Sequence, residues 1–177
     1  MNIYQRIRRR LHLWRLKRKG VRLSAHALID RTVDIHNHQN VSLGDRSVLY
    51  KSISLYPSKE GRFEMGKNSH IAPFGYLLID KNKVIIGDDV AIGPFCSFIC
   101  HSNHVSGASN LFRENYLDGD ISIGNNVFIG AQCTLLPGTI IPDNVVVASN
   151  SVVKGQLESG WVYGGTPVKK LKPVSDG

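Results

Sequence analysis

Aliphatic residues occupy every sixth position at Ile123, Ile129, Leu135, Ile141, Val147 and Val153. A period of six matches neither the 3.6 residues of an α-helix nor the alternation of a long strand, so each hexad must be a short strand followed by a tight turn. Four residues after each aliphatic stand Val127, Cys133, Thr139, Val145, Ser151 and Leu157, mostly small or β-branched. The same spacing recurs at Met65, Ile71 and Leu77, then at Ile86, Ile92 and Phe98 after a slip of three residues, with a weaker set at Leu43, Leu49 and Leu55. A lone short strand can neither satisfy its backbone nor bury its aliphatic side chain. Hexads wound into a coil do both, setting each aliphatic above its counterpart at a strand spacing of about 4.8 Å. The chain therefore reads as all-β, a parallel β-helix. Corner residues come from Gly87-Asp88-Asp89, Gly124-Asn125-Asn126 and Pro142-Asp143-Asn144, which tolerate positive φ or bond their own turns. Cys96 and Cys133 fall on the small inward position and read as core filler.

Three segments stand outside the hexads. Residues 1–20 read as a basic amphipathic helix, residues 21–40 as an irregular entry to the coil, and residues 104–120 as a loop inserted into the β-helix domain of residues 41–177, which closes in a C-terminal tail. A solenoid can eject a loop without disturbing its stack, and function concentrates on such loops. Charge follows the same division. Of 22 Lys and Arg, eight lie in residues 1–20, which hold no acid, leaving 14 basic against 14 acidic residues in the rest. The body has no basic stripe for a nucleic-acid duplex, so no nucleic-acid partner is expected. With 42% hydrophobic and 20% charged residues the chain is composed as one soluble domain. Three cysteines without CxxC spacing indicate neither a disulfide framework nor a thiolate metal site, which suits the cytoplasm. No apolar run is long enough for an export signal or a membrane span. In the first segment Ile3, Ile7, Leu11 and Trp14 share helical spacing among Arg and Lys residues, so the helix either lies on the inner face of the membrane or caps the open end of the coil.

The stretches IGDDVAIGPFCSF, IGNNVFIGAQCTLLPGTIIPDNVVVASNSVV and YGGTPVKKLK resemble the hexapeptide-repeat acyltransferases, in the branch of galactoside, maltose and virginiamycin acetyltransferases and polysaccharide O-acetyltransferases. The resemblance covers about residues 41 to 172. It implies a left-handed, three-faced prism, a homotrimer with active sites between neighbours, and acyl transfer from acetyl-CoA. It also implies a histidine base where the repeat breaks, at His101-Ser102-Asn103-His104, with His104 aligning closer to the family position than His101. An imidazole suits that role because its ordinary pKa near 6.5 lets it take a hydroxyl proton at neutral pH.

By the same resemblance the Ala131 N–H faces the thioester oxygen and Ser149 lines the pantetheine arm. Lys169 and Lys172 meet the adenosine phosphates, with Lys154 as a further candidate. Asp80 stands near the acceptor, although the family's acceptor-contacting Asn aligns with Gly75. Asn110, Phe112, Arg113, Glu114 and Tyr116 compose the insertion as a saccharide platform, Arg113 being the substrate-binding candidate. His70, His101 and His104 lack the spacing of the zinc ligands in the γ-class carbonic anhydrases, which share the prism, and His36 with His38 lacks a third ligand, so no metal is expected. The reading is an acetyl-CoA-dependent O-acetyltransferase acting on a saccharide hydroxyl, lipid-linked or nucleotide-linked, in making O-antigen, capsule or exopolysaccharide. Its alternatives are an N-acetyltransferase or antibiotic acetyltransferase of the same fold, or a non-catalytic trimeric scaffold recruited to the membrane.

Overall fold

The structure is a computed structural model and describes residues 3–106 and 108–176, so Met1, Asn2, Gly107 and Gly177 of the segments above lie outside the described residues. Its body is the parallel β-helix that the hexads imply, left-handed as the family resemblance implies. Three faces of short strands run along the coil. On the first face Leu23, Leu43, Met65, Ile86, Ile123 and Ile141 stand in register. On the second, Ile29, Leu49, Ile71, Ile92, Ile129, Val147 and Tyr163 do so. On the third, Ile35, Leu55, Leu77, Phe98, Leu135 and Val153 align. All of these but Leu23 are buried, and Leu23 packs against them. The three columns are therefore one continuous core, and each column is a hexad position read along the sequence.

Between faces the chain turns through residues in the left-handed region. Arg46, Asn68, Asp89, Asn126 and Asn144, at φ 57, 53, 58, 52 and 59°, hold the corner from first to second face. Their side chains bond from coil to coil, as from Asn68 Nδ2 to Asp89 Oδ1 at 3.0 Å and from Asn126 Nδ2 to Asn144 Oδ1 at 2.8 Å. The small inward residues close the corners from inside, Cys96 and Cys133 each donating a thiol to a carbonyl at 3.2 Å.

Two boundaries differ from the sequence reading. Residues 21–40 are no irregular entry: Arg22–Leu23, Leu28–Ile29 and Asp34–Ile35 pair with the strands of the next coil and form a full first turn. The helix Ile3–Arg18, here α1, packs on that turn through the buried Leu16 and the half-buried Leu13. The insertion also starts earlier than residue 104. His101–Asn103 already leaves the coil and pairs antiparallel with the returning Tyr116–Asp118. At the other end the C-terminal tail doubles back, Lys169–Pro173 running antiparallel to Trp161–Gly164.

Candidate active site

The excursion leaves and rejoins the prism at one edge of the third face, and that geometry assembles a cluster. A chain that departs and returns at the same point must bring its two ends together, and here His101 lies opposite Asp118. His101 Nδ1 is 2.9 Å from Asp118 Oδ1 and 3.9 Å from Asp80 Oδ2. The imidazole also stacks on Tyr116, ring centroids 4.8 Å apart at 22°. Asp118 is held in turn by Asn82 Nδ2 at 3.1 Å and Lys81 Nζ at 3.0 Å. With His101, Asn82 and Lys81 all donating to it, the Asp118 carboxyl is held at about 2. It stays ionised wherever the protein functions, so it fixes the proton on Nδ1 and leaves the Nε2 lone pair of His101 as a proton acceptor. Asn82 is buried, and its second bond, to the Cys100 carbonyl at 3.1 Å, anchors the cluster to the last turn before the excursion.

His104 is engaged differently. Its Nδ1 meets the Ser106 carbonyl at 2.7 Å and the Ser106 hydroxyl at 2.9 Å, within its own loop, and no carboxylate orients it among the described residues. Arg113 sits on the exposed short helix Phe112–Glu114, away from these contacts. Glu114 accepts from Ser109 Oγ at 2.7 Å, and the buried Asn115 donates to the Ser109 carbonyl at 2.6 Å, so part of the expected saccharide platform serves to fold the loop. Among the described residues the one group of three metal-ligating side chains is Asp80, His101 and Asp118, where Lys81 already supplies a cation. Within one chain His70 lies on the second face, apart from His101.

The residues expected at the acyl donor fall elsewhere. Ala131 lies at the corner between second and third faces, in the position held by Pro73 and Pro94 two coils and one coil below. Its N–H donates to nothing among the described residues. Ser149 sits directly above, close enough that a Cβ on Gly130 would meet the Ser149 backbone nitrogen at 2.5 Å. Lys154 follows the last strand of the third face, while Lys169 and Lys172 belong to the reversed strand ending the second. Ala131 and His101 therefore stand at opposite edges of the third face. About five strand residues, roughly 15 Å, separate them. One chain does not bring His101 and the Ala131 N–H to the same point.

Asp118, Lys81, Asn82 and Tyr116 were not among the residues singled out for the base. Burial and the Asp120 charge push the Cys100 thiol up to about 12, and its neighbour Cys133 together with burial pushes Cys96 higher, so neither is a nucleophile.

Residues 120–155 match the bacterial transferase hexapeptide family of six repeats. The chain is 32% identical over 119 residues to the galactoside O-acetyltransferase of Escherichia coli K12, which covers 64% of this chain and 58% of that enzyme. It is 32% identical over 110 residues to the chloramphenicol acetyltransferase of Morganella morganii, covering 52% of each. The chain thus spans a little over half the length of these relatives. Among solved structures, a variant of AntD, an N-acyltransferase from Bacillus cereus in complex with dTDP and coenzyme A, superposes with a TM-score of 0.79 at 24% identity, covering 90% of this chain and 88% of that one.

Proposed function

We propose that this chain, whose residues 120–155 match the bacterial transferase hexapeptide family, is an acyltransferase of that family and transfers an acetyl group from acetyl-CoA to a saccharide hydroxyl in the making of a bacterial surface polysaccharide, O-antigen, capsule or exopolysaccharide. The observation that carries the reading is the 2.9 Å contact between His101 Nδ1 and Asp118 Oδ1 at the mouth of the excursion. It supports His101 as the general base over His104, which the family resemblance favours. Nε2 takes the proton as the acceptor oxygen bonds to the acetyl carbon. The tetrahedral intermediate then collapses, the C–S bond breaks, and the thiolate of coenzyme A takes that proton from the imidazolium. The products are the acetyl ester and free coenzyme A, with no acyl-enzyme. The unpartnered Ala131 N–H suits the developing oxyanion. Ser149, Lys154, Lys169 and Lys172 follow it along the donor groove, Lys as point charges for the phosphates.

In the homotrimer that the family resemblance implies, His101 of one copy meets the Ala131 N–H of the next, the two groups standing at opposite edges of one face. Asp80 and Arg113 flank His101 on the acceptor side. The setting is the cytoplasm, where acetyl-CoA is made. Similarity to a galactoside O-acetyltransferase supports a sugar hydroxyl. The relatedness of the fold to an N-acyltransferase solved with dTDP makes a nucleotide-linked amino sugar the second acceptor to test, and the chloramphenicol enzyme an antibiotic hydroxyl.

The test is release of free thiol with a panel of sugar, amino-sugar and antibiotic acceptors. His101→Ala is expected to lose at least about two orders of magnitude in kcat/KM, and His104→Ala to stay within about threefold. The reverse ranking reassigns the base. An absence of thiol release with every acceptor, and of acetyl-CoA binding by calorimetry, favours a non-catalytic scaffold.

A further inference from the structure

The helix Ile3–Arg18 has two sides with different company. At about 100° per residue, His12, Leu13 and Leu16 fall on one side. Leu16 is buried on the first coil, Leu13 packs against the core, and His12 Nε2 is enclosed without a hydrogen-bond partner among the described residues. That side closes the end of the prism. Ile3, Ile7, Leu11 and Trp14 fall on the other side, within about 80° of one another. They are 76, 52, 49 and 53% exposed. A strip that capped the coil would be covered, so capping leaves this one unexplained.

The borders of the strip identify its occupant. Arg6, Arg10 and Lys17 run along one flank and Arg8 and Arg15 along the other, while Arg18 closes the strip at its C-terminal end. Arg8 lies over the Tyr4 ring at 5.2 Å and Arg18 over the Trp14 ring at 4.8 Å, which places guanidinium groups at the rim of the apolar surface. No acidic residue occurs in residues 1–20. An apolar strip between two cationic rows complements a lipid surface carrying phosphate and net negative charge, with the aliphatic groups at the acyl boundary and Trp14 among the headgroups. A folded partner protein offers such an alternation of apolar centre and anionic borders only by special design, whereas an anionic bilayer presents it everywhere.

We propose that α1 docks the protein on an anionic bilayer through Ile3, Ile7, Leu11 and Trp14, so that the β-helix stands on the membrane by its capped end. His101, at the close of the fourth coil, then works about 15 Å beyond the first. This surface is independent of the transferase reading, and its test uses neither acyl donor nor acceptor.

The full chain is floated with vesicles of phosphatidylcholine containing one third phosphatidylglycerol, and with pure phosphatidylcholine. It is expected to float with the first and not the second, with binding at least about tenfold weaker in about 0.5 M salt. The triple variant Ile7→Ser, Leu11→Ser, Trp14→Ser is expected to lose at least about tenfold in bound fraction at unchanged Tm. Equal flotation with neutral vesicles, no flotation, or a triple variant that floats like the parent overturns the proposal. So does a triple variant of lower mass by light scattering, which makes the strip an interface between copies.

Discussion

At the residue scale the consequential contact is a carboxylate with three donors. Asp118 takes bonds from His101, Asn82 and Lys81, and its low pKa means that it never shares a proton with the imidazole near neutrality. Asp118→Ala frees the ring to rotate and removes the tautomer preference, so kcat is expected to fall about 10- to 100-fold. The KM for acetyl-CoA should hold within about twofold, and Asp118→Asn, which still accepts from Nδ1, should lose less. Steady-state kinetics with circular dichroism of each variant check this, and a parallel rise in KM for the donor would instead make Asp118 a fold residue. The break in the hexads drew attention to this segment, and within it the Asp118 contact favours His101 over His104. His101 and His104 differ by three residues, and no one-dimensional pattern tells which is oriented. The missing signal was closure: an excursion from a rigid coil must return to its starting point, so the residues before Ile121 had to face those after Cys100. Applied to Tyr116-Leu117-Asp118-Gly119-Asp120, that rule points to a carboxylate for His101.

At the scale of the element, the repeating unit is a strand of two to five residues and a corner, and the corners carry the tightest tolerance. Gly44, Gly66, Gly87 and Gly124 form a column in which the backbone of the next coil passes close beside each Cα. A Cβ on Gly87 would lie 2.5 Å from the Gly124 carbonyl oxygen, which belongs to backbone and has no rotamer to escape into. Gly87→Ala is therefore expected to cost about 1–3 kcal/mol, read as a lower Tm by calorimetry with the strand content retained. A neutral Gly87→Ala would mean that the coils slide apart more easily than the paired strands suggest. These corners were legible because Gly-Asp and Gly-Asn dipeptides repeat in step with the aliphatics. The first coil was not, although Leu23, Ile29 and Ile35 are also six apart. Its turns, Ala25-His26 and Arg31-Thr32, lack glycine and asparagine, and its outward positions hold Asp30, Asp34 and His36, so three aliphatics had no punctuation around them. Strand pairing with the second coil, rather than turn chemistry, settles that segment.

At the scale of the whole molecule, titration and assembly are both testable. Burial holds His12 and His70 below the ordinary histidine value of 6.5. Their folded pKa values being depressed, the stability they contribute is present above 6.5 and is lost as pH falls below it. Tm is expected to drop between pH 7 and pH 5, and His70→Gln to flatten that slope; an unchanged slope in the variant removes His70 from the account. Assembly is the deeper question, because His101 and the Ala131 amide stand at opposite edges of the third face. Ala131→Pro deletes that N–H in a corner whose fold already accepts proline at Pro73 and Pro94, so the coil should persist while activity falls about 10²- to 10³-fold. If each site takes its base from one copy and its amide from the next, a trimer mixed from His101→Ala and Ala131→Pro chains contains one intact junction, whichever variant supplies two copies. Refolding the two variants together at equal amounts should then restore about a quarter of the parent activity, since three quarters of the trimers are mixed and each carries one working site of three. A site contained within one chain gives no recovery at all, and the assignment of Ala131 and His101 to a shared junction fails with it.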